Sequence, residues 1–231
     1  MSTRKRLALI GYGKMGKLID QLAPEYEFEV IARITRSNID KPVEADVAIE
    51  FSTPEAAPGN LVRLAEARVP AVCGTTGWLD RLPEVFESVE RNETALVASP
   101  NFSVGVAVFR RVTALAAELL RHQTEYGAWA WEIHHDAKKD ALSGTLLSLV
   151  ETMRQHGYDR AIDISASRAG KHPGTHEIGF DSAADTITLR HSARSREGFA
   201  RGALKSAQWI LGRKGVYTFE DVLFSNRPPA S

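Results

Sequence analysis

The sequence is poor in the residues that cross-link small proteins or bind metals. Cys73 is its only cysteine, so no intramolecular disulfide can form, and a reducing compartment such as the cytoplasm is expected. It also lacks CxxC and HExxH, two patterns typical of metal and redox sites. We therefore expect no dedicated metal site.

Excess charge of one sign and long apolar runs are absent as well. Lysine plus arginine equals aspartate plus glutamate, at 29 each, which argues against a nucleic-acid partner. The longest apolar runs have the length of strands and are too short to span a bilayer. After a basic start, only residues 7–10 are apolar before Gly11, which is too short for a signal-peptide core. These absences predict a soluble cytoplasmic protein without a membrane partner.

Short apolar runs and amphipathic stretches alternate regularly through the first hundred residues. This alternation is typical of a doubly wound sheet of parallel strands. Pro54 is expected at the start of one helix, where its missing N–H costs nothing. The predicted strands are residues 6–10, 28–34, 47–51, 70–73 and 95–98, and the predicted helices are residues 14–22, 54–68 and 82–91.

The pattern changes after residue 101, because strands there follow one another through turns. Successive strands predict a mixed or antiparallel sheet. The predicted helices are residues 104–120, 143–156 and 197–212, and the predicted strands are residues 128–134, 162–167, 175–180 and 186–191. The expected fold class is α/β. It comprises an N-terminal Rossmann dinucleotide-binding domain (residues 1–103 and 198–231) and an inserted α+β substrate domain (residues 104–197).

A glycine-rich turn joins the first predicted strand to the first predicted helix. In a GxGxxG turn the glycines permit a tight bend, a close approach to a pyrophosphate and close packing of helix on strand. The helix N-terminus offers its unpaired N–H groups to the phosphates. We therefore expect a dinucleotide to bind Gly11, Tyr12, Gly13, Lys14, Met15 and Gly16.

The end of the second predicted strand bears on the choice of dinucleotide. NAD sites usually place an acidic residue about 20 residues past the glycines, where it holds the ribose 2′-hydroxyl. Here Thr35 and Arg36 occupy that stretch, and the first carboxylate is Asp40. A hydroxyl beside a cation suits a 2′-phosphate, so NADPH is the expected cofactor and NADH stays possible.

Two further loops follow predicted strands and are placed to reach the nicotinamide or a ribose of the cofactor. Folds of this kind bind ligands at the carboxyl ends of their strands. The loops consist of small or hydroxyl-bearing residues that let backbone amides approach a ligand. They comprise Gly74, Thr75 and Thr76, and then Ser99, Pro100, Asn101 and Phe102.

A polar block between a predicted strand and a predicted helix concentrates groups that can move protons. Two histidines, two lysines and two aspartates lie within residues 134–140. Imidazole exchanges protons near neutral pH, and a lysine can donate a proton or pair with a carboxylate. Ser143, Gly144 and Thr145 then start a helix whose backbone amides suit an anion such as a substrate carboxylate.

Taken together, these blocks resemble the dihydrodipicolinate reductase family, whose members reduce 4-hydroxy-tetrahydrodipicolinate. The resemblance covers nearly the whole chain in family order, and its most specific part is HHxxKxD at residues 134–140 followed by Ser-Gly-Thr. Further matching blocks are residues 11–16, 50–55, 74–77, 101–105, 168–170 and 191–203. One departure is Leu142, which stands where the family commonly has proline.

The resemblance implies an NAD(P)H-dependent oxidoreductase that forms tetrahydrodipicolinate in diaminopimelate and lysine biosynthesis. It implies that His134 is the acid/base residue and that Lys138 donates a proton, since only Lys138, and not Lys139, keeps the HHxxK spacing. It further implies a homotetramer joined through the sheets of the substrate domains. The residues expected to bind the small dicarboxylate substrate are His135, Lys138, Ser143, Gly144 and Thr145.

Three other functions remain open from the residues. One is a related NADPH-dependent reductase of another cyclic imine acid. Another is an aldehyde dehydrogenase of the aspartate-semialdehyde type, which needs a nucleophilic cysteine, and Cys73 is poorly placed just before the Gly74 loop. The third is a non-catalytic nicotinamide-binding sensor, which would be expected to lack the proton-transfer residues.

Overall fold

The structure is a computed structural model that describes residues 4–37, 44–139 and 142–225. Asp40, Asp140 and the residues after Ser225 lie outside the described residues. Contacts divide the chain into two compact units. Gly105–Arg196 forms the second unit, and the residues before and after it form the first.

Ten strands, seven α-helices and two short 3-10 helices (Ala23–Tyr26 and Leu79–Arg81) make up the regular structure of the described residues. The strands are β1 (Lys5–Ile10), β2 (Phe28–Ile34), β3 (Val47–Glu50), β4 (Ala71–Cys73), β5 (Ala95–Ala98), β6 (Gly127–His134), β7 (Ile162–Arg168), β8 (Thr175–Asp181), β9 (Thr186–Ser192) and β10 (Gly215–Tyr217). The helices are α1 (Lys14–Leu22), α2 (Ala57–Glu66), α3 (Leu82–Arg91), α4 (Val104–Leu120), α5 (Gly144–Gln155), α6 (Glu197–Ile210) and α7 (Phe219–Phe224).

The first unit is built on a six-stranded sheet in the order β10-β5-β4-β3-β1-β2, and every pairing is parallel. From β1 the chain moves to β2 at the edge and then crosses back to β3 on the other side of β1. The strand order therefore reverses beside β1. In parallel sheets such a reversal opens a crevice at the carboxyl ends of the strands, where ligands bind.

Helices cover both faces of this sheet. Helices α1 and α6 pack against each other, and α2 and α3 form a second pair. Every residue of β3 and β4 is buried, as expected of parallel strands enclosed on both faces. The predicted doubly wound parallel sheet is confirmed, and its core comprises the apolar residues of the strands together with residues such as Leu61, Leu64, Val85 and Val89 of α2 and α3.

Two details of the first unit differ from the sequence-based expectation. Helix α2 begins at Ala57 with Pro58 in its first turn, whereas Pro54 lies in the turn before it, so the expected helix start was wrong. Strand β10 and helix α7 were not predicted. Three residues are too few for a periodic apolar pattern, and β10 is a strand because Gly215–Tyr217 pairs with β5 at the sheet edge.

The second unit contains a mixed sheet in the order β7-β6-β8-β9. The β6–β7 pair is parallel, and the β6–β8 and β8–β9 pairs are antiparallel, which confirms the predicted mixed sheet. Helices α4 and α5 bury one face of it, through a core that includes Phe109, Leu146, Met153 and Tyr158. Along β6, Ala130, Glu132 and His134 alternate with outward residues and are buried.

The other face of this sheet carries two half-buried tryptophans, Trp129 and Trp131. Trp129 lies across Gly179 of β8, because a Cβ at that glycine would come within 2.0 Å of the indole ring. Trp131 donates a hydrogen bond of 3.2 Å from Nε1 to Ser167 Oγ of β7. This face thus combines large aromatic area with polar side chains. Among the residues that the structure describes, no helix has both the length and the apolar character needed to cross a membrane.

Candidate active site

The glycine-rich turn has the backbone geometry that a pyrophosphate requires. Gly11 has φ of 89°, and a Cβ there would lie 2.0 Å from the carbonyl oxygen of Phe51. A Cβ at Gly16 would lie 2.3 Å from the carbonyl oxygen of Gly11. At Gly13, by contrast, a Cβ would meet no described atom within 4 Å. Two of the glycines thus serve tight packing, and the third leaves the start of α1 accessible to a ligand.

The start of α1 is suited to negative charge. Gly13 is its N-cap residue, no side chain caps its first turn, and that turn holds no acidic residue. Lys14 lies exposed in the same turn. Helix N-termini attract anions through their unpaired N–H groups and the helix dipole. The residues present here therefore fit the phosphates of a dinucleotide.

Tyr12 and Arg33 both contact the carboxylate of Asp20. The tyrosine hydroxyl donates to Oδ2, and the guanidinium donates two bonds of 2.7 Å, one to each oxygen. Burial raises the pKa of Asp20, but the bonds from Arg33 and Tyr12 outweigh it and hold that pKa below its usual value. Arg33 is therefore already neutralised by Asp20. Arg36, the residue after Thr35, is exposed beyond the end of β2, and the Thr35 hydroxyl lies 2.8 Å from Ser37 Oγ.

The loops after β4 and β5 lie at the same carboxyl edge as the glycine-rich turn, because all of these strands are parallel. Gly74 packs against Phe51, whose ring would lie 2.2 Å from a Cβ at that glycine. Phe102 is buried, with ring centroids 6.3 Å from Phe51 and 5.1 Å from Phe219. The structure thus brings all of the predicted cofactor residues of these loops to one edge, with Thr76 and Pro100 exposed.

Glu50, to which sequence analysis assigned no role, lies beneath the loop that follows β4. It ends β3 with no exposed surface and accepts a hydrogen bond of 2.6 Å from the Thr75 hydroxyl. Ser52 donates to it through both its hydroxyl and its backbone N–H, and Asn60 Nδ2 lies 3.4 Å away. Two local signals could have drawn attention to it, namely a charged residue at the end of the apolar run of β3 and its place in the matching block of residues 50–55.

The same carboxylate explains the state of the single cysteine. The Cys73 thiol is 1% exposed and lies 3.3 Å from Glu50 Oε2. Burial, and then the charge of Glu50, raise the pKa of Cys73 far above its usual value. A thiol kept protonated is a poor nucleophile. This environment argues against the aldehyde dehydrogenase alternative.

In the second unit, Glu132 and His134 lie two residues apart on the buried face of β6. Glu132 has no exposed surface, and its Oε1 is 3.6 Å from His134 Nδ1. Arg168, which pairs with His134 in register on β7, donates a bond of 2.8 Å from Nη2 to the same oxygen. Burial raises the pKa of Glu132, but Ser143, Arg168 and His134 together hold it below its usual value.

His176 joins this group from β8, opposite Glu132. Its Nε2 lies 3.1 Å from Ser143 Oγ and 3.5 Å from Glu132 Oε2, and its ring meets that of His134 edge to face at 5.1 Å. Burial and the charge of His134 lower the pKa of His176 to about 4, so this imidazole is neutral at neutral pH. No local sequence signal marks His176, since only strand pairing brings it here.

The loop after β6 separates the two neighbouring lysines. Lys138 is half-buried and its charge contributes to the low pKa of His176, whereas Lys139 is exposed. Lys138 donates its backbone N–H to His135 O, and Asp136 N donates to Gly170 O. His135 is half-buried at the start of this loop. Lys138 therefore lies near the buried histidines.

The start of α5 leaves two amides unused by the bonds that the structure records. Ser143 caps the helix by accepting a bond of 3.1 Å from Leu146 N, and its own N–H donates to Glu132 Oε1. The first intrahelical bond runs from Leu147 N to Ser143 O. Between them lie the amides of Gly144 and Thr145, and a Cβ at Gly144 would meet no described atom within 4 Å. These two amides suit a carboxylate.

Glu132, His134 and His176 also place one ligand atom each within 4.8 Å of one another, close enough to hold a metal ion. However, both carboxylate oxygens of Glu132 already accept hydrogen bonds, from Ser143 and from the cationic Arg168. A metal cation would have to displace that guanidinium. The geometry therefore favours a hydrogen-bonded network at this position.

Comparison with known proteins matches almost the whole chain to one family. The family descriptions "Dihydrodipicolinate reductase, N-terminus" and "Dihydrodipicolinate reductase, C-terminus" match residues 38–102 and 105–223. Proteins called 4-hydroxy-tetrahydrodipicolinate reductase from Christiangramia forsetii and Caldanaerobacter subterraneus are 34% and 35% identical to this chain. The alignments cover 94% and 91% of this chain, and 97% and 94% of those proteins.

A solved structure shares the fold. The dipicolinate-bound dihydrodipicolinate reductase of Paenisporosarcina sp. superposes with a TM-score of 0.81 at 20% identity, over 96% of this chain and 100% of that one. An amine dehydrogenase from Mycobacterium smegmatis superposes with a TM-score of 0.63 at 9% identity, over 94% and 95% of the two chains. At these identities the likeness concerns the fold alone.

Proposed function

The chain belongs to the dihydrodipicolinate reductase family, and from that membership we propose that it reduces 4-hydroxy-tetrahydrodipicolinate to tetrahydrodipicolinate. It is a nicotinamide-dependent oxidoreductase of diaminopimelate and lysine biosynthesis. The observation that carries the proposal is that His134 and Ser143, the N-cap of α5, both lie against Glu132, while the charge of Lys138 acts on the neighbouring His176. That arrangement offers proton donors beside an anion site, which is what reduction of a cyclic dicarboxylate requires.

The first unit is assigned the cofactor. Residues 11–16 hold the pyrophosphate, supported by the open Gly13 and the uncapped start of α1. Thr35 and Arg36 hold a 2′-phosphate, which favours NADPH, because Arg33 is already neutralised by Asp20. The bound nicotinamide supplies hydride. The loops of residues 74–76 and 99–102 line the nicotinamide side of the cofactor.

The second unit is assigned the substrate. The amides of Gly144 and Thr145 bind one carboxylate, and Ser143 keeps them in place by capping α5. His135 and the ammonium of Lys138 provide the remaining contacts to the carboxylates. As water leaves the hydroxylated substrate and hydride is added, His134 serves as acid/base and Lys138 donates the proton. These roles place the proton-transfer groups on a rigid strand end and its following loop.

We further propose the oligomeric state of the protein and the compartment in which it acts. The open face of the mixed sheet, with Trp129 and Trp131, is proposed to join copies of this chain into a homotetramer. Because the only thiol is buried and no disulfide can form, the protein suits the cytoplasm. Light scattering of the purified protein tests the assembly, since a monomeric mass at micromolar concentration contradicts it.

The test of function is nicotinamide oxidation with substrate made in place from pyruvate and aspartate semialdehyde by the preceding synthase. Substrate-dependent oxidation of NADPH or NADH is expected. Tight cofactor binding without turnover contradicts the substrate assignment and leads to a panel of cyclic imine acids. Cofactor binding without turnover on any of these acids leaves the nicotinamide-binding sensor as the function.

A further inference from the structure

Glu132 is a buried charge whose contacts all lie at one end of the second unit. It accepts hydrogen bonds from Ser143 N at 3.1 Å, from Ser143 Oγ and from Arg168 Nη2 at 2.8 Å. Removing a carboxylate from water is costly unless it is paired and hydrogen-bonded. Ala128 and Ala130 show that apolar residues suffice on the same face of β6. We propose that Glu132 is the positioning residue that holds both His134 and the start of α5, an inference that rests on the proposed function.

Glu132 orients the capping residue at the start of α5. The Ser143 hydroxyl has one hydrogen, and it is donated to Glu132 Oε2. The oxygen of that hydroxyl then accepts from Leu146 N, and neutral His176 can donate to it from Nε2. Glu132 thereby sets the orientation of the capping hydroxyl and also binds the amide of Ser143. Only the amides of Gly144 and Thr145 are left for a carboxylate.

Glu132 also affects which nitrogen of the His134 imidazole carries the proton. An anionic oxygen 3.6 Å from Nδ1 favours a proton on that nitrogen. Nε2, which lies beside Gly174, is then the nitrogen that exchanges a proton with a ligand. A Cβ at Gly174 would come within 3.0 Å of Nε2, so glycine at this position keeps a side chain away from that nitrogen. One carboxylate thus links the proton-transfer residue to the anion site.

Every charged group near Glu132 bears on the pH dependence of this site. His134 faces it from its own strand, Arg168 from β7 and His176 from β8, while Ser143 contacts it from the start of α5. Lys138 and His191 act more weakly, through His176. Arg168 remains when the carboxylate is neutralised, so loss of the charge leaves the histidines facing a cation alone. Protonation of His134 then requires a lower pH.

The test replaces Glu132 with glutamine, which keeps the shape and removes the charge. In Glu132→Gln we expect kcat to fall by at least tenfold. In the pH–rate profile, the limb that depends on protonation of His134 should move to lower pH. Binding of dipicolinate should weaken about tenfold, while NADPH binding stays unchanged. Glu132→Asp should restore part of each loss. Glu151→Gln, an exposed glutamate of α5, is the matched control and should match the wild type.

A measurement without substrate separates this inference from the proposed function. Nitrogen-15 NMR of the imidazoles, with His134 assigned by its loss in His134→Gln, should show a proton on Nδ1 in the wild type. In Glu132→Gln that proton should redistribute to Nε2. If the wild type shows no turnover but Nδ1 carries the proton, the proposed function fails and the inference stands.

Other results of the same experiments would overturn the inference about Glu132. An unchanged imidazole spectrum and unchanged dipicolinate binding in folded Glu132→Gln overturn the inference, even if the wild type is active. Should Glu132→Gln fail to fold, Ser143→Ala replaces it. Ser143→Ala should weaken dipicolinate binding without moving the pH limb, because Glu132 keeps its charge beside His134. Equal dipicolinate binding in Ser143→Ala and the wild type overturns the proposed role at α5.

Discussion

Thr75 and Glu50 are joined by a hydrogen bond of 2.6 Å between the threonine hydroxyl and Oε2 of a carboxylate without exposed surface. The same hydroxyl accepts a bond of 2.8 Å from Ser52 N. Thr75 therefore links the end of β3 to the loop after β4. The proposed nicotinamide loop is thus fixed by a buried carboxylate, as the proposed anion site of the second unit is by Glu132 in our inference.

Thr75→Val is expected to lower stability. It removes the hydrogen bond from the threonine hydroxyl to the carboxylate of Glu50, and a hydrogen bond to a charged group contributes about 1.5–3 kcal/mol. Urea unfolding measures the free energy of unfolding. Thr76→Val, at an exposed neighbour, is the matched control and should change stability by less than about 0.5 kcal/mol. Equal losses in the two variants would show that the contact with Glu50 contributes nothing.

Arg36→Ala is expected to change the choice of cofactor. The exposed guanidinium next to Thr35 is proposed to hold the 2′-phosphate, and a charge-assisted bond to phosphate contributes about 1.5–3 kcal/mol. kcat/KM for NADPH should therefore fall about tenfold or more, while the value for NADH changes little. Both cofactors are assayed with one preparation, so NADH is the internal control. An unchanged ratio of the two values would contradict the assignment of Arg36.

Lys138→Ala and Lys139→Ala should differ sharply. Lys138 lies near the buried histidines and Lys139 is exposed, so only loss of the first should reduce turnover, by about a hundredfold or more. NADPH affinity should barely change in either variant. Steady-state rates and cofactor titrations measure the two effects. If Lys139→Ala causes the loss instead, the proton donor has been assigned to the wrong lysine.

His176 should make stability depend on pH. Its pKa is about 4 in the folded chain and near 6.5 when unfolded, so the unfolded state binds more protons between these values. The stabilisation is complete above pH 6.5 and falls, by about 3 kcal/mol in all, as the pH drops toward 4.

Unfolding in urea at about pH 7 and about pH 4.5 measures this dependence. His176→Asn should flatten it, whereas His122→Asn, at an exposed histidine, should follow the wild type. Other groups such as Asp20 also lose stabilising contacts in acid, because the pKa of that carboxyl is lowered in the folded chain. The difference between variant and wild type is therefore the readout. If the free energy of unfolding changes with pH equally in His176→Asn and the wild type, His176 is not a source of the pH dependence.

The sequence by itself determined the features that depend on neighbouring residues. The turn from Gly11 to Gly16 needs residues without a Cβ at those two positions, and the cap of α5 needs a hydroxyl at Ser143 directly before the helix. The glycine turn and the helix cap can each be recognised from a few consecutive residues. The alternation of strands and helices likewise indicated a parallel sheet followed by a mixed one, because periodicity reports which side of an element is buried.

Tertiary structure alone decided which side chains meet. Glu50 contacts Thr75 across 25 residues, and His176 reaches Ser143 across 33, so no local pattern could pair them. The true start of α2 at Ala57 and the strand β10 also depend on packing and edge pairing rather than on propensity. The physical reason is the same in each case: a buried charge is tolerated only where distant donors converge on it, and strand register determines which donors those are.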